Sequence, residues 1–187
     1  VEVVDSRCPD RFIRVEPSKT PLLTYAIDFR RAPAIGHQSI TLGLNGGDYC
    51  REVGFARTFC LEEDIQFMYS RGLAKGGSQD NAIVVNATSG VVNTRGLRSP
   101  TEFVRHKALD CVGDLALLGM PLIGHVIAHK AGHDLHTQLA KKLWAERDLH
   151  SILEPNRRQQ LAFSSLFGFV DELSDLSDFI ALGAIRG

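Results

Sequence analysis

The stretch SPTEFVRHKALDCVGDLALLGMP, Ser99 to Pro121, carries its own start and stop signals. Ser99 is a good N-cap, Pro100 suits the first helical position, and Glu102 falls where a capping box places a carboxylate. Val104, Ala108, Val112 and Leu115 recur at helical spacing as an apolar stripe. Gly119 ends the run and Pro121 forbids its resumption. The spacing predicts a helix over about Pro100 to Leu118, with one side on a core.

Upstream the period changes to two. Leu22 to Phe29 alternates, with Leu23, Tyr25, Ile27 and Phe29 on one face, as a half-buried strand does. Arg11 to Glu16 and Gln38 to Leu44 are weaker strand candidates, and Gly46-Gly47-Asp48 reads as turn chemistry between runs. Glu62 to Arg71 reads as a helix with Ile65, Met68 and Tyr69 as its stripe. Gly72 stops it, the glycine-rich Lys75-Gly76-Gly77-Ser78 follows, and Asn81 to Val85 reads as a buried strand. Downstream, Leu122 to His129 alternates again. A second helix begins near Gly132-His133, with Leu135, Leu139 and Leu143 along it. Beyond His150, Glu154-Pro155-Asn156 is a break, and 157–170 and 171–182 each read as a short amphipathic helix in a tail without visible chemistry. A strand-rich front and helices behind predict an α+β two-layer sandwich, with helices packed on one face of a mixed sheet and a small β-α insert.

The 187 residues suffice for one domain or two small ones with a sizeable core. Lys and Arg total 21 and Asp and Glu 22, a net charge of −1. That balance argues against a general nucleic-acid binder, and no apolar run approaches the roughly 20 residues of a membrane span. Val1-Glu2-Val3-Val4-Asp5 has no signal-peptide features and no initiator Met, so the chain reads as processed or as a piece of something longer. Cys8, Cys50, Cys60 and Cys111 form no CxxC pair and read as reduced thiols of a cytoplasmic protein.

His106, Asp110 and Asp114 stand four apart. Four helical residues turn about 400°, so the three lie nearly in line on one face. An imidazole and a carboxylate at i and i+4 can share a metal ion; the mix suits zinc and also admits Fe(II) or Mn(II). The same spacing also makes an ordinary exposed ion pair. His125, His129, His133 and His136 place four of the seven histidines within twelve residues. His125 and His129 share a strand face and read as solvated edge residues. His133 opens a helix, where a nearby carboxylate such as Asp114 would make it a poised general acid; a histidine beside an N-cap with no role is the alternative. Arg57-Thr58-Phe59 sets a hydroxyl beside a ring, a common core pattern. Lys75-Gly76-Gly77-Ser78 lacks the spacing of a phosphate-binding P-loop.

Phe55-Ala56-Arg57-Thr58-Phe59, Gly72 to Val84 with its Lys75-Gly76-Gly77-Ser78, Glu102 to Asp110, Gly113-Asp114-Leu115 and Lys130-Ala131-Gly132-His133 follow one another in an order that resembles the C-terminal half of the UDP-3-O-acyl-N-acetylglucosamine deacetylases. These are zinc amidases of lipid A biosynthesis, in which two similar α+β domains sandwich the active site. The resemblance runs from about Val1 to Trp144. It implies that residues 1–150 are the second catalytic domain, that 151–187 are a helical tail of unknown role, and that the first domain lies outside this chain. It implies Zn2+ as cofactor, with His106 and Asp110 as two of its ligands. It gives His133 as the histidine that protonates the leaving amine or stabilises the oxyanion, Asp114 as the carboxylate that orients it, and Thr58 as the hydroxyl supporting the tetrahedral intermediate. Lys107 matches a lysine near the substrate diphosphate. Phe59, Gly76, Gly77 and Ser78 match the insert that shapes the acyl-chain passage.

This sequence departs from the pattern in three places. The family's third zinc ligand is a histidine beside the glutamate general base, and this chain contains no Glu-His dipeptide. Cys60 stands where glycine is usual, and His136 where asparagine is usual. The chain therefore reads as half of the enzyme, catalytically incomplete alone. The alternative is a non-catalytic module that binds the UDP-lipid or a protein partner. A homodimer borrowing ligands across its interface ranks last, because no second Glu/His pair is available to donate.

Overall fold

The computed structural model describes residues 1–44 and 46–146. Its strands, in chain order, are β1 (Glu2–Asp5), β2 (Cys8–Glu16), β3 (Leu22–Phe29), β4 (Gly36–Gly43), β5 (Thr58–Leu61), β6 (Ala82–Asn86), β7 (Gly90–Val91) and β8 (His125–His129). The α-helices are α1 (Gly46–Glu52), α2 (Ile65–Ser70), α3 (Glu102–Leu115) and α4 (His133–Ala145). Five strands make the main sheet in the order β1-β2-β8-β3-β4. It is mixed: β8 runs parallel to β3 and antiparallel to β2, and the outer pairs are antiparallel. A smaller sheet, β5-β6-β7, forms the insert.

Alternation builds the core. Leu23, Tyr25 and Ile27 of β3, Val126 and Ala128 of β8 and Ile13 of β2 are buried, while their neighbours in sequence are not. α3 packs on β3 and β4, and α4 on β1 and β2, giving two layers with helices on one face. From α3 come Phe103, Val104, Ala108, Cys111 and Leu115; from α4 come Leu135, Leu139 and Leu143. Burial of such side chains is worth about 1.5–3 kcal/mol each. A 3-10 turn (Ala116–Leu118) follows α3, and Gly119, at φ +68°, takes the left-handed position that ends it.

Several local expectations give way to longer-range contacts. Gly46-Gly47-Asp48 is not a plain turn but the start of α1, where Asp48 pairs with Arg51 one turn later. The segment expected as one helix over Glu62 to Arg71 is a 3-10 turn (Glu62–Asp64) and then the short α2, with no buried residue; Tyr69 is 51% exposed. Its stripe, Ile65, Met68 and Tyr69, lies wholly in α2 and is only partly covered. β8 is the central strand rather than an edge, since β2 closes on its outer side. His125 there bonds Thr24 Oγ1 through Nε2 at 2.8 Å, and His129 Nδ1 meets the Asp10 carbonyl. The two helices expected at 157–170 and 171–182 lie outside the described residues.

Glu102 makes no capping box. The helix starts after Thr101, without a side-chain cap bond, and Glu102 is fully buried. Its Oε1 accepts from the Arg57 backbone N–H (3.1 Å) and Nε (2.9 Å). Its Oε2 accepts from Arg57 Nη2 (3.1 Å) and the Arg98 backbone N–H (2.6 Å). Arg57 Nη1 and Nη2 also donate to the Gln79 and Gly96 carbonyls, at 3.2 and 2.8 Å. Burial pushes the Glu102 carboxyl up, but Arg57 and the two backbone N–H groups outweigh it and hold the pKa below the usual range.

Glu102→Ala leaves Arg57 buried and unpaired, so it is expected to cost about 3–5 kcal/mol in urea unfolding at pH 7. A depressed folded-state pKa gives stability that is present above the unfolded value and is lost as pH falls through the folded one. The gap between wild type and Glu102→Gln should therefore shrink on acidification. A gap that widens in acid contradicts the assignment.

Candidate active site

α3 carries His106, Asp110 and Asp114 on successive turns, as the four-residue spacing requires. His106 Nδ1 lies 3.3 Å from the buried Ala56 carbonyl. A carbonyl only accepts, so Nδ1 carries the hydrogen and a neutral ring leaves Nε2 with a bare lone pair. That lone pair faces Asp110 Oδ1 at 3.3 Å. In that tautomer two acceptors face each other, an arrangement that a bound cation would satisfy. Ligand atoms in a tetrahedral zinc site, with bonds of about 2.0–2.2 Å, stand about 3.3–3.6 Å apart, so the separation and the donor types both fit zinc. Backbone anchoring of the far nitrogen is the usual support of a ligating histidine. The other carboxylate oxygen, Asp110 Oδ2, accepts from Lys107 Nζ at 2.7 Å, and His133 Nε2 lies 3.8 Å from it.

His133 is the first residue of α4, after the extended N-cap Gly132. The turn that delivers it contains Lys130 at φ +51°, a left-handed conformation uncommon outside glycine. Three links hold that turn. Lys130 N–H donates to the Ala26 carbonyl at 2.8 Å, Arg11 Nε donates to the Lys130 carbonyl at 3.1 Å, and Lys130 Nζ bridges Asp10 and Asp28 at 2.7 and 3.1 Å. His133 Nδ1–H donates to Asp114 Oδ2 at 2.6 Å, which turns Nε2 outward; the side chain is 66% exposed.

His136, read from the sequence only as standing where asparagine is usual, is completely buried behind His133 and donates from Nδ1 to the same Asp114 oxygen at 2.8 Å. The signal was there in its spacing of three from His133, but which face of α4 is buried depends on the sheet. Asp114, His133 and His136 offer donor atoms within 4.8 Å of one another, a grouping that could hold an ion. Their Nδ1-to-Oδ2 separations are those of hydrogen bonds, however, shorter than the spacing of ligands around zinc. The His106–Asp110 pair fits a metal better.

The remaining predicted residues divide. Phe59 packs edge-on against His106 (ring centroids 6.2 Å), Phe103 (5.1 Å) and Phe29 (5.4 Å), so it walls the site from the insert side. Thr58 opens β5, exposed, directly after the pinned Arg57. Gly76, Gly77 and Ser78 lie in an exposed loop whose bonds are local: Asn81 staples it through Ser78 N–H (2.8 Å) and the Gly76 carbonyl (2.9 Å), and Gly77 N–H reaches the Ala74 carbonyl. Nothing there ties the loop to the His106–Asp110 pair. Cys111, next to Asp110, is buried, and burial pushes its thiol pKa up, so it stays a neutral core group.

The family profile for UDP-3-O-acyl N-acetylglycosamine deacetylase (LpxC) matches residues 1–145. Curated relatives named UDP-3-O-acyl-N-acetylglucosamine deacetylase include one from an Anaeromyxobacter species, 44% identical over 150 residues, covering 80% of this chain and 49% of the relative. One from Bdellovibrio bacteriovorus is 52% identical over 122 residues, covering 65% and 40%. One from Myxococcus xanthus is 41% identical over 175 residues, covering 91% and 54%. The chain thus spans about half the length of the curated relatives it matches. With the profile covering the whole of both layers and the insert, the chain belongs to the UDP-3-O-acyl N-acetylglycosamine deacetylase family.

Proposed function

We propose that this chain supplies the second catalytic domain, residues 1–150, of a zinc-dependent deacetylase that hydrolyses the N-acetyl group of UDP-3-O-acyl-N-acetylglucosamine in lipid A biosynthesis, releasing acetate in the cytoplasm. The observation that carries the reading is the facing pair of acceptors, His106 Nε2 and Asp110 Oδ1, one helical turn from a hydrogen-bonded His133–Asp114 pair. No helix among the described residues is long and apolar enough to cross a membrane. No role is assigned to residues 151–187.

His106 and Asp110 would hold zinc, with a third ligand and the general base from a first domain. The metal, when bound, polarises the acetamide carbonyl and lowers the pKa of a bound water. The remaining work falls to side chains of this chain. Asp114 holds Nδ1–H of His133, so the exposed Nε2 is the atom that carries a proton to the leaving amine. The Thr58 hydroxyl donates to the developing oxyanion, and Phe59 keeps water from the His106 side. Lys107 brings its ammonium toward the substrate diphosphate when it leaves Asp110. The Gly76–Ser78 loop borders the acyl chain.

The deciding experiment measures zinc content and turnover of this chain alone and with a separately expressed first domain. Activity only in the mixture supports the reading; tight zinc binding and turnover by the chain alone overturn it. A non-catalytic UDP-lipid module would show no turnover in either arm.

In the completed enzyme, His106→Ala is expected to abolish stoichiometric zinc. His133→Ala should keep zinc and lower kcat roughly 10²–10³-fold. Full activity with full zinc in that variant removes His133 from the chemistry. Lys107→Ala should raise KM for the UDP-substrate at saturating zinc, and an unchanged KM takes Lys107 out of the substrate site.

A further inference from the structure

The buried polar group that this chemistry leaves unused is His136. Its side chain is 0% exposed, yet both ring nitrogens are engaged: Nδ1 with Asp114 Oδ2 at 2.8 Å and Nε2 with the Tyr25 hydroxyl at 2.9 Å. Asp114 Oδ2 is also the oxygen that takes His133 Nδ1–H. A carboxylate oxygen only accepts, so His136 Nδ1 carries a hydrogen. Burial holds the His136 imidazole below its usual pKa, with Asp114 opposing. A neutral ring has one N–H, so Nε2 accepts. The single Tyr25 hydroxyl hydrogen then lies between His136 Nε2 and the Ala131 carbonyl, 2.7 Å away. Ala131 stands two residues before His133. The bonds therefore form a circuit: turn, Tyr25, His136, Asp114, His133.

Asp114 needs a second, buried donor. Its side chain is 19% exposed and His133 is mostly in solvent. A carboxylate with one exposed partner is free to rotate toward water, and His133 would lose its tautomer with it.

We propose that His136 is a positioning residue of the reaction: its Nδ1–H locks Asp114 Oδ2 on the line of His133 Nδ1. The inference rests on the reading of His133 and Asp114 as the proton-delivering pair. An asparagine amide nitrogen can stand near the place of a histidine Nδ1, and a glutamine amide near that of Nε2. His136→Asn thus keeps the bond to Asp114 and drops Tyr25, while His136→Gln does the converse. Each loses one buried bond, so both should lower Tm by similar amounts, which is all that a structural role would produce.

In the zinc-loaded full-length enzyme, kcat of His136→Asn is expected to stay within about threefold of wild type, and that of His136→Gln to fall about tenfold or more at unchanged KM. Independently of turnover, the low-field Nδ1–H resonance of His133, followed with 15N-labelled histidine, should persist in His136→Asn and be lost in His136→Gln. Equal kcat in the two variants, or a His133 resonance intact in His136→Gln, overturns the proposal. If His133→Ala itself leaves turnover intact, the acid assignment fails, and the nitrogen spectrum still decides whether His136 holds the pair.

Discussion

The carboxylate of Glu102 is shut off from water and takes four N–H bonds, two of them from backbone on either side of the insert. A buried ion pair adds little over an apolar filler of the same shape, so its contribution is placement. Arg57 is clamped to the first turn of α3, and Phe59, two residues on, is delivered to the His106 ring. The same clamp leaves the Ala56 carbonyl within reach of His106 Nδ1. Loosening it would move the insert, release His106 and leave an arginine charge buried alone. The geometry of the His106–Asp110 pair therefore begins one turn before it.

What the sequence made legible was local. β3, α3 and α4 were readable because their periods of two and nearly four repeat over enough residues to dominate their own conformation, and Gly119 stops α3 by its backbone alone. The family order of motifs placed His106, Asp110, Asp114 and His133 on neighbouring elements, where the structure brings them together. What failed needed distant partners. Glu102 fits a capping box by spacing, but Arg57, 45 residues earlier, competes for its oxygens and wins. β8 became central only because β2, over a hundred residues away, pairs with its second edge. His136 was legible only as a departure from the family's asparagine until the sheet fixed which side of that helix faces Tyr25.

The turn before α4 shows how strain at a site is held from elsewhere. Lys130 keeps a left-handed backbone that costs of order 1–3 kcal/mol, and it does so because its N–H, its carbonyl and its ammonium are each anchored to a different strand partner: Ala26 of β3, Arg11 of β2, and Asp10 with Asp28. Arg11 continues to Asp134, the second residue of α4. The sheet thus fixes the angle at which α4 starts, and with it the point from which His133 reaches α3.

One face of α3 then carries two opposite arrangements of the same residue types. At His106 and Asp110 the ring's hydrogen is drawn away to Ala56, so a lone pair of the neutral ring faces a carboxylate oxygen. At Asp114 the hydrogens of two rings are drawn inward to one oxygen, Oδ2. What stands behind each imidazole differs: a backbone carbonyl behind His106, Asp110 Oδ2 at 3.8 Å from the Nε2 of the mostly exposed His133, a tyrosine hydroxyl behind His136. The two arrangements lie four residues apart on one helix, and the partners of each ring decide which nitrogen holds the hydrogen.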